Sequence, residues 1–557
     1  MSKNLGQLSG RHGLENNLFM RLSDAITAGG GNAPQDLDAL AEEFLVGKAS
    51  IHGATTFYDL FRAGNKNKKV YVCNGSACVC ADTQDSVTQA LKEFFSEDEI
   101  GEMTCLGRCY ENGAFQYQGR NYSGLSPRKI ADVVASGKAP IDDRYTVAAL
   151  GVPVLTAKAE GFDEHYRPLQ ALLQRDPGEV LEQIKASGIR GRGGAGYPAG
   201  TKWEACRNTD SAMKFVVCNA DEGDPGAWSD RYLLEARTHS VLFGMMVAGF
   251  CVGAQWGVIY IRAEYPESVT AMQQAIRELR EHHLLGKGIL GSGFDFDIKV
   301  IKGQGAYICG EETALLNSIE GQRPEVRTRP PFPAQQGLFN KPTVVNNVET
   351  LATLHYIVRN GGNIYGSLGT KKSTGTKLVC LDSRFSRPGL YEVEMGTPLS
   401  RIVHELAGGF REPVKALHIG GPLGGLVPTA LVAKLTLDFE SFAEQGFSLG
   451  HASIVGIHER IPMAEYIEHL FAFAARESCG KCFPCRLGTH RGYELFKRAR
   501  ETDYKIDREL LDDLLHTLDK GSLCAHGSGI ALPIRNALAW FGDELSRVGI
   551  SASDICR

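Results

Sequence analysis

The sequence has neither a long apolar run nor a strong excess of one charge. Because no stretch reaches about 18 uninterrupted apolar residues, no membrane-spanning helix and no direct membrane insertion are predicted. The 60 basic and 65 acidic side chains leave a net charge of −5, which is too small to indicate a nucleic-acid partner. The first residues, MSKNLGQLSGRHGLENN, lack the apolar core of a secretion signal. We therefore expect a cytoplasmic protein.

Cysteine and glycine, in contrast, are abundant. The 557 residues include 15 cysteines and 64 glycines. In a large cytosolic chain cysteines more often bind metals, catalyse or pack than form disulfides. Glycines outside low-complexity runs indicate sharp turns or backbone pressed close to ligands. The composition thus favours a multidomain protein with metal or cofactor sites.

The order of apolar patterns predicts a multidomain α/β protein. Helical spacing near the N-terminus indicates a helical bundle, and the following strand, helix and hairpin (KKVYVCNG, DTQDSVTQALKEFF, AFQYQGRNYSGLS) resemble a thioredoxin-like order. Next, apolar strands (KFVVCNA, WGVIYIRA, FDIKVIKG) alternate with long helices, which favours a mostly parallel sheet. A small α+β unit and a last helical region complete the chain. The predicted regions are 1–66, 67–150, 160–368, 369–452 and 453–557.

Three cysteines near the C-terminus have the spacing of an iron–sulfur motif. Cys479, Cys482 and Cys485 form C-x2-C-x2-C, and Cys524 is a plausible fourth ligand. A 4Fe–4S cluster needs four converging thiolates, of which such a loop supplies three. Zinc and unligated buried cysteines are the alternatives.

A second group of cysteines lies in the thioredoxin-like region. Cys73 and Cys78 form one pair, and Cys105 and Cys109 form another on a separate loop. Two pairs of thiolates, one for each iron, are what a 2Fe–2S cluster requires. Four thiolates also suit zinc, which stays open as the alternative. Cys80 is assigned no ligand role.

The segment GIRGRGGAGYPAGTKW (188–203) is too rich in glycine for a regular helix or strand. It lacks the lysine–hydroxyl pair of a nucleoside triphosphatase loop. Its glycines allow backbone N–H groups to approach phosphate, and Arg190, Arg192 and Lys202 add positive charge. Three further segments combine polar groups and glycines at predicted strand-to-helix junctions, where phosphate is favoured: CNADEGDPGAWSDR, GAYICGEETALLNSIEG and KPTVVNNVETL.

Carboxylates in these junctions suit sugar hydroxyls better than phosphate. They are Asp221, Glu222, Glu311 and Glu312. The residues together indicate a nucleotide-type cofactor held beside two metal clusters.

These motifs, with PPFPA and ESCGKCFPCR, resemble the NADH-binding flavoprotein family. That family comprises a subunit of respiratory complex I and the diaphorase subunits of NAD-dependent formate dehydrogenases and NAD-reducing hydrogenases. The N-terminal region resembles the family's separate 2Fe–2S subunit fused in front. The resemblance implies a thioredoxin-like 2Fe–2S domain, a Rossmann-like FMN and NADH domain, a β-grasp (ubiquitin-like) insert and a helical 4Fe–4S domain.

The resemblance also implies site residues. FMN is expected on Gly191, Arg192, Gly193, Gly194, Lys202, Asn219, Asp221, Glu222, Gly223, Tyr307, Gly310, Glu311, Glu312, Asn346, Asn347 and Thr350. NAD(H) is expected to stack over the flavin and to touch Tyr197, Asp224, Glu312 and Phe332. Glu312, Lys202 and Asp224 are the residues expected to act most directly in the reaction. Tyr197, Asp224 and Arg329 depart from the complex I pattern, which leaves the preference between NAD and NADP open.

The implied reaction is hydride exchange between NAD(H) and FMN, followed by single-electron exchange with the 2Fe–2S and 4Fe–4S clusters. No further ferredoxin-type motif is present in the sequence, so a partner chain must carry the terminal substrate site. The first expectation is the β subunit of a molybdenum or tungsten formate dehydrogenase. The second is the diaphorase subunit of a NAD-reducing NiFe hydrogenase, and the third is a fused complex I subunit.

Two interpretations from other functional classes stay open at this point. A redox-inactive scaffold would show no flavin absorbance. A regulatory module would bind NADH without reducing an artificial acceptor.

Overall fold

The structure, a computed structural model, describes residues 13–27, 34–136 and 145–550. Within these residues the strands form three sheets. The outer ends of the first and last predicted regions, residues 1–12 and 551–557, lie outside the described residues.

The N-terminal helices pack onto the rest of the molecule and do not form a core of their own. They are α1 (Leu18–Thr27), α2 (Pro34–Glu43) and α3 (Lys48–Thr55). Leu18, Phe19 and Leu22 lie on one face of α1, as helical periodicity predicts. They share a buried core with Val217 and Tyr260 of the third domain. The predicted bundle is therefore a layer over that domain's sheet.

The second region contains a four-stranded sheet with helices against it. Its elements are β1 (Val70–Cys73), α4 (Ser76–Cys80), α5 (Gln84–Lys92), β2 (Ile100–Met103), β3 (Phe115–Tyr117), β4 (Arg120–Tyr122) and α6 (Pro127–Ser136). The strand order is β2-β1-β3-β4; β1 and β2 are parallel, and β3 and β4 form an antiparallel hairpin. The predicted strand, helix and hairpin are confirmed.

The sequence places residues 146–150 at the end of the second region. This boundary is wrong, because these residues form strand β5 (Thr146–Leu150) of another sheet. It pairs in parallel with a strand far along the chain, Gly389–Glu394. Local sequence cannot reveal such a partner, because the pairing depends on tertiary packing.

The third region is an α/β domain whose strands are all parallel. Its elements are α7 (Phe162–Leu172), α8 (Pro177–Ala186), α9 (Ala199–Asn208), β6 (Phe215–Ala220), α10 (Ser229–Ala236), α11 (Thr238–Val252), β7 (Trp256–Ile261), α12 (Pro266–Glu281), β8 (Asp297–Lys302), α13 (Glu312–Ile319), α14 (Pro333–Gln336), β9 (Thr343–Asn347), α15 (Val348–Asn360) and α16 (Gly362–Gly366). Because helices and other elements cover both faces, the strands are continuous apolar runs. The predicted parallel sheet is confirmed.

The strand order β8-β7-β6-β9 places a topological switch beside β6. The chain runs outward from β6 through β7 to β8, and then returns to the other side of β6 as β9. Asn219 near the end of β6 is in register with Asn347 at the end of β9. Ligands of open α/β sheets bind at such a point, beyond the carboxyl ends of the strands.

The fourth region is built on a six-stranded mixed sheet of order β13-β12-β14-β10-β11-β5. Its remaining elements are β10 (Thr376–Leu381), β11 (Gly389–Glu394), β12 (Val414–Ile419), β13 (Gly425–Pro428), α17 (Phe439–Glu444) and β14 (Ser453–His458). The sequence places β14 in the helical region, but it is an inner strand between β12 and β10. The helical region therefore begins at Met463.

The last region is helical, as predicted. It contains α18 (Met463–Arg476), α19 (Phe483–Glu501), α20 (Arg508–Gly521), α21 (Ala525–Gly529), α22 (Ala531–Trp540) and α23 (Gly542–Leu545). Among the described residues no helix is both long and apolar enough to span a bilayer.

Candidate functional site

Four segments predicted to hold a nucleotide-type cofactor meet at the switch point. The Arg192 N–H donates to Thr350 Oγ1 at 2.9 Å. The Asn219 side-chain amide donates to the carbonyl of Gly310 at 2.8 Å. A Cβ on Gly193 would lie 2.9 Å from the Cβ of Asn347, so only glycine allows this approach. The fold thus brings the glycine-rich loop and the three junctions together.

Two arginines of the glycine-rich loop are directed elsewhere than the sequence predicts. Arg190 forms an ion pair with Glu440 at 2.6 Å and lies 4.3 Å from the ring centroid of Phe439. Both partners belong to α17 of the fourth region. The predicted contribution of Arg190 to phosphate binding is therefore corrected, because its charge is already paired.

Arg192 is fully buried. Its Nη2 donates to the hydroxyl of Tyr365 at 2.9 Å and to the carbonyl of Thr374 at 2.5 Å. Its backbone, through the bond to Thr350, is what faces the switch point. A phosphate at this loop would meet backbone N–H groups, as at other glycine-rich loops.

Lys202 is the remaining cation of the loop, and it joins a charged cluster. Its Nζ lies 3.3 Å from Glu312 Oε2 and donates to the carbonyl of Val345 at 3.1 Å. Glu312 also pairs with Arg329 at 3.1 Å. The structure thus brings together two of the three residues expected to act in the reaction, Lys202 and Glu312.

Tyr197 and Phe332, the two aromatic residues expected to touch NAD(H), are both exposed. Each side chain is 53% exposed, which is unusual for large aromatic residues. Exposed aromatic rings can stack on a planar ligand, and their contact with NAD(H) stays a prediction.

Two predicted sugar-binding carboxylates have structural partners in this chain. Glu222 accepts from the Asp230 N–H at 2.9 Å and from the Ser229 hydroxyl at 3.1 Å at the start of α10. Glu311 accepts from the Thr313 and Ala314 N–H groups, both at 2.9 Å, and caps α13. Such bonds stabilise helix N-termini.

Asp221 is the carboxylate that stays available. Its Oδ2 is buried without a hydrogen-bond partner anywhere in the described part of the chain. Burial raises the pKa of Asp221 well above its usual value. A buried unpaired acceptor of this kind is costly unless a ligand supplies a donor. The ribityl hydroxyls of FMN are donors of the right kind, so the residues present fit that cofactor.

Two of the predicted glycines, Gly223 and Gly310, lie near Asp221. A Cβ on Gly310 would lie 3.5 Å from the Asp221 carbonyl oxygen. A Cβ on Gly223 would lie 2.8 Å from the ring of Tyr307. Of these two predicted positions, only Gly223 is too crowded for a side chain, because 3.5 Å at Gly310 is an ordinary contact distance.

Asp224 is joined to two partners, one of which the sequence did not reveal. The Tyr307 hydroxyl donates to Asp224 Oδ1 at 2.7 Å. His451 Nε2 lies 2.9 Å from Asp224 Oδ2. A Cβ on Gly421 would lie 2.4 Å from Oδ1. Tyr307 and His451 thus give each oxygen of the Asp224 carboxylate a partner within the chain.

His451 and Gly421 were missed because they belong to the fourth region, far along the chain. The available signal was the pair of tight glycine turns, Gly420–Gly421 and Gly450. A Cβ on Gly450 would lie 2.6 Å from the Cα of Gly420. These turns bring the fourth region against the cofactor loops.

The four N-terminal cysteines form one buried group. Cys105 Sγ and Cys109 Sγ are 3.7 Å apart. A hydrogen bond from the Cys78 thiol, supported by backbone N–H groups, lowers the pKa of Cys73 to about 6. Cys80 is buried away from the group, near Tyr466 and Asp382. The donor set fits a 2Fe–2S cluster, with Cys80 outside it.

Loop 221–226 of the third region touches this cysteine group. The Gly226 N–H donates to Cys109 Sγ at 3.3 Å. The Asp224 carbonyl oxygen lies 3.7 Å from Cys105 Sγ. One loop therefore contacts both the cofactor pocket and the 2Fe–2S ligands.

The C-terminal cysteines converge from two loops. Cys479 lies between α18 and α19, Cys482 and Cys485 are at the start of α19, and Cys524 directly precedes α21. Burial, with smaller contributions from the three neighbouring cysteines, raises the pKa of Cys485 to about 12. Gly480 has φ +82°, which turns the loop between the first two ligands. The arrangement fits a 4Fe–4S cluster.

Three family models match the chain. They are the Nuo51 FMN-binding domain over residues 184–356, the iron–sulfur binding region of NADH-ubiquinone oxidoreductase-F over 465–548, and the thioredoxin-like [2Fe-2S] ferredoxin over 15–138. The last match includes the N-terminal helices.

Known proteins resemble the chain over long stretches. It is 41% identical over 385 residues to NADP-reducing hydrogenase subunit HndC of Solidesulfovibrio fructosivorans, covering 68% of this chain and 78% of that one. It is 41% identical to the F 2 subunit of the NADH-quinone oxidoreductase of Rhizobium meliloti, covering 68% and 91%. It is 34% identical over 529 residues to the NAD-reducing hydrogenase HoxS subunit alpha of Cupriavidus necator, covering 88% and 85%.

A solved structure agrees in fold. The air-oxidised NAD+-reducing [NiFe]-hydrogenase superposes with a TM-score of 0.84 at 27% identity, covering 95% of this chain and 93% of that one. The fold and the site define a NAD-linked flavin and iron–sulfur oxidoreductase subunit. The chain belongs to the NADH-binding flavoprotein family shared by complex I and the NAD-reducing hydrogenases. Its cofactors are FMN, one 2Fe–2S and one 4Fe–4S cluster, and it uses NAD(H).

Proposed function

We propose that this chain is the NAD(H)-handling subunit of an assembly of the NAD-reducing hydrogenase type. The observation that carries the proposal is that one chain holds the 2Fe–2S, flavin and 4Fe–4S modules. The HoxS alpha subunit is similar over 88% of this chain, whereas the Rhizobium NADH-quinone oxidoreductase protein is similar over 68% of it.

FMN, when bound, exchanges a hydride with the nicotinamide and passes electrons one at a time, so no acid–base pair is needed from the protein. The chain's task is positioning. In this proposal, backbone N–H groups of the glycine-rich loop bind the phosphate of FMN. The unpaired Asp221 oxygen accepts hydrogen bonds from the ribityl hydroxyls. Tyr197 and Phe332 are assigned the stacked nucleotide at the open side.

An exposed apolar surface beside the 4Fe–4S ligands supports a protein partner there. Phe483 is 67% exposed, Leu487 is 59% exposed and Leu523 is 42% exposed. Phe483 follows Cys482 directly, Leu487 lies one helical turn beyond it, and Leu523 precedes Cys524. Apolar surface of this kind is typical of an interface. A partner that covers it would exchange electrons with the nearest cluster.

Formate is the second candidate terminal substrate. The GDPG sequence at 223–226 resembles the NAD-dependent dehydrogenases more than complex I, and this favours it. The metal and the substrate of the partner separate the two candidates.

The experiment is affinity purification of the intact assembly through this chain under anaerobic conditions. We expect NAD+ reduction with hydrogen and one nickel site in the partner. Reduction with formate, together with molybdenum or tungsten, would support the second candidate instead. Bound FMN without NADH-dependent reduction of ferricyanide would contradict the diaphorase function altogether.

Glu312→Gln tests the charged cluster of the pocket. We expect the KM for NADH to rise about tenfold, a loss of about 1.4 kcal/mol. NADPH is expected to compete better, because Lys202 and Arg329 lose their shared carboxylate and can attract an added phosphate. Steady-state reduction of ferricyanide with each nucleotide measures both effects.

The matched control is Glu204→Gln. Glu204 lies on the same helix as Lys202 and pairs with Lys185 at 2.9 Å. The Glu204→Gln substitution removes the same charge from a lysine pair outside the pocket. The KM values for both nucleotides are therefore expected to stay within about twofold of wild type. Equal effects of the two variants would contradict a specific role for Glu312.

A further inference from the structure

We propose that His451 is a positioning residue that holds Asp224 and thereby fixes loop 221–226 between the nucleotide pocket and the 2Fe–2S site. The proposal rests on the proposed function. It adds a residue from the fourth region to a site that the sequence assigns wholly to the third.

The orientation of the His451 ring follows from its neighbours. The Ser453 N–H donates to Nδ1 at 3.3 Å. Because Nδ1 accepts a hydrogen bond, the neutral ring carries its proton on Nε2, which lies at ion-pair distance from Asp224 Oδ2, 2.9 Å. The backbone next to it turns through Gly450 at φ +55°. The imidazole is therefore oriented by the turn that directly precedes β14.

The Asp224 side chain is held from two sides. The Asp224 and His451 side chains are only 20% and 12% exposed. Burial alone would raise the pKa of Asp224, but His451 and the Tyr307 hydroxyl together lower it below its usual value. A buried carboxylate with a partner at each of its two oxygens has one favoured orientation. Removal of His451 leaves it with Tyr307 alone.

The backbone of Asp224 and of Gly226, two residues further on, contacts the 2Fe–2S ligands. The Gly226 N–H donates to Cys109 Sγ at 3.3 Å, and the Asp224 carbonyl oxygen lies 3.7 Å from Cys105 Sγ. Hydrogen bonds to ligand sulfurs stabilise the reduced, more negative cluster and so raise its reduction potential. A shift of the Asp224 side chain is thus expected to change both nucleotide binding and this potential.

The test uses the purified holoprotein with His451→Ala. We expect the KM for NADH to rise about tenfold while kcat changes less than about threefold. Redox titration followed by electron paramagnetic resonance is expected to give a lower 2Fe–2S potential. For this one-electron cluster, a shift of about 59 mV in the reduction potential corresponds to a tenfold change in the ratio of oxidised to reduced cluster. The 4Fe–4S potential is expected to stay unchanged.

His451→Gln is the conservative variant, because its amide N–H can still reach Asp224; we expect it to restore most of both values. If His451→Ala does not accumulate, His451→Asn, whose amide is too short to reach Asp224, gives the same comparison.

His458→Ala is the matched control. His458 accepts the Arg460 N–H at Nδ1, 2.9 Å, and its Nε2 lies 3.5 Å from Glu412 at the other end of β14. It repeats the arrangement of His451 away from the pocket, so no change in KM or in either potential is expected.

Two results would overturn the proposal. One is a His451→Ala protein with the KM and 2Fe–2S potential of the wild type and of His458→Ala. The other is a 4Fe–4S potential that moves as far as that of the 2Fe–2S cluster, since this would indicate general distortion. Failure of the proposed function is distinguishable from both, because NADH would then reduce no centre in the wild type.

Discussion

Replacing Cys524 by serine is expected to remove the 4Fe–4S cluster and to end electron delivery to the partner, while NADH still reduces the flavin. Cys524 is the one ligand that comes from outside the C-x2-C-x2-C loop, directly before α21. Without it, one iron of the four-iron cluster has no thiolate ligand. Because the flavin residues lie in another domain, the effect is expected to stop at the cluster.

Three measurements test for the loss of the 4Fe–4S cluster in Cys524→Ser. Iron is expected to fall from about six to about two atoms per chain. The 4Fe–4S signal in electron paramagnetic spectra is expected to disappear, and the 2Fe–2S signal is expected to remain. Flavin reduction by NADH, followed by absorbance, is expected to stay within about twofold of wild type.

Cys206→Ser is the control for the chemistry of the substitution. Cys206 is as buried as a ligand, but it lies on α9 beside Lys214 and away from both cysteine groups. The iron content of the Cys206→Ser variant is expected to equal that of wild type. Zinc at the C-terminal group, or loss of the 2Fe–2S signal in Cys524→Ser, would contradict the assignment of the clusters.

The features that sequence could predict are those set by local spacing. Apolar runs such as KFVVCNA predicted parallel strands, because a strand covered on both faces must be apolar throughout. C-x2-C-x2-C predicted a ligand loop, since its three thiolates are presented by one turn. The glycine-rich loop predicted a close backbone approach, and Gly193 against Asn347 has that role in the structure.

The features that could not be predicted from the sequence depend on residues far apart along the chain. Arg190 adds no charge to the phosphate loop because Glu440, from another region, has paired with it. Strands β5 and β14 have short sequences whose partners lie far along the chain. His451 reaches Asp224 only through a turn of the fourth region. In each case tertiary packing, which local patterns do not encode, decides where the side chain or strand lies.

Lys377→Met is expected to destabilise the protein by about 3–5 kcal/mol. Lys377 on β10 pairs with Glu349 on α15, and both side chains are essentially inaccessible to water, at 0% and 1% exposure. Without the lysine, Glu349 becomes a buried charge whose remaining partner is the Leu378 N–H at 3.0 Å. An uncompensated buried charge costs far more than a missing surface pair.

The pair also joins the fourth region to the flavin pocket. Glu349 precedes Thr350, which accepts the Arg192 N–H of the glycine-rich loop. We therefore expect Lys377→Met to release FMN at lower denaturant than wild type, and urea unfolding followed by flavin fluorescence measures this. The exposed control Arg401→Met breaks the pair with Glu405 and is expected to cost less than about 1 kcal/mol.

The double variant Lys377→Met/Glu349→Gln decides between loss of the ion pair and loss of packing. Removing both charges leaves no buried ion, so stability is expected to recover by at least half of the single-variant loss. The coupling energy from the full cycle, with Glu349→Gln as the other single variant, is then expected to exceed about 1 kcal/mol. If the double variant is as unstable as the sum of the two single variants, the cost comes from packing around each residue, and the pair has no specific role in joining the two regions.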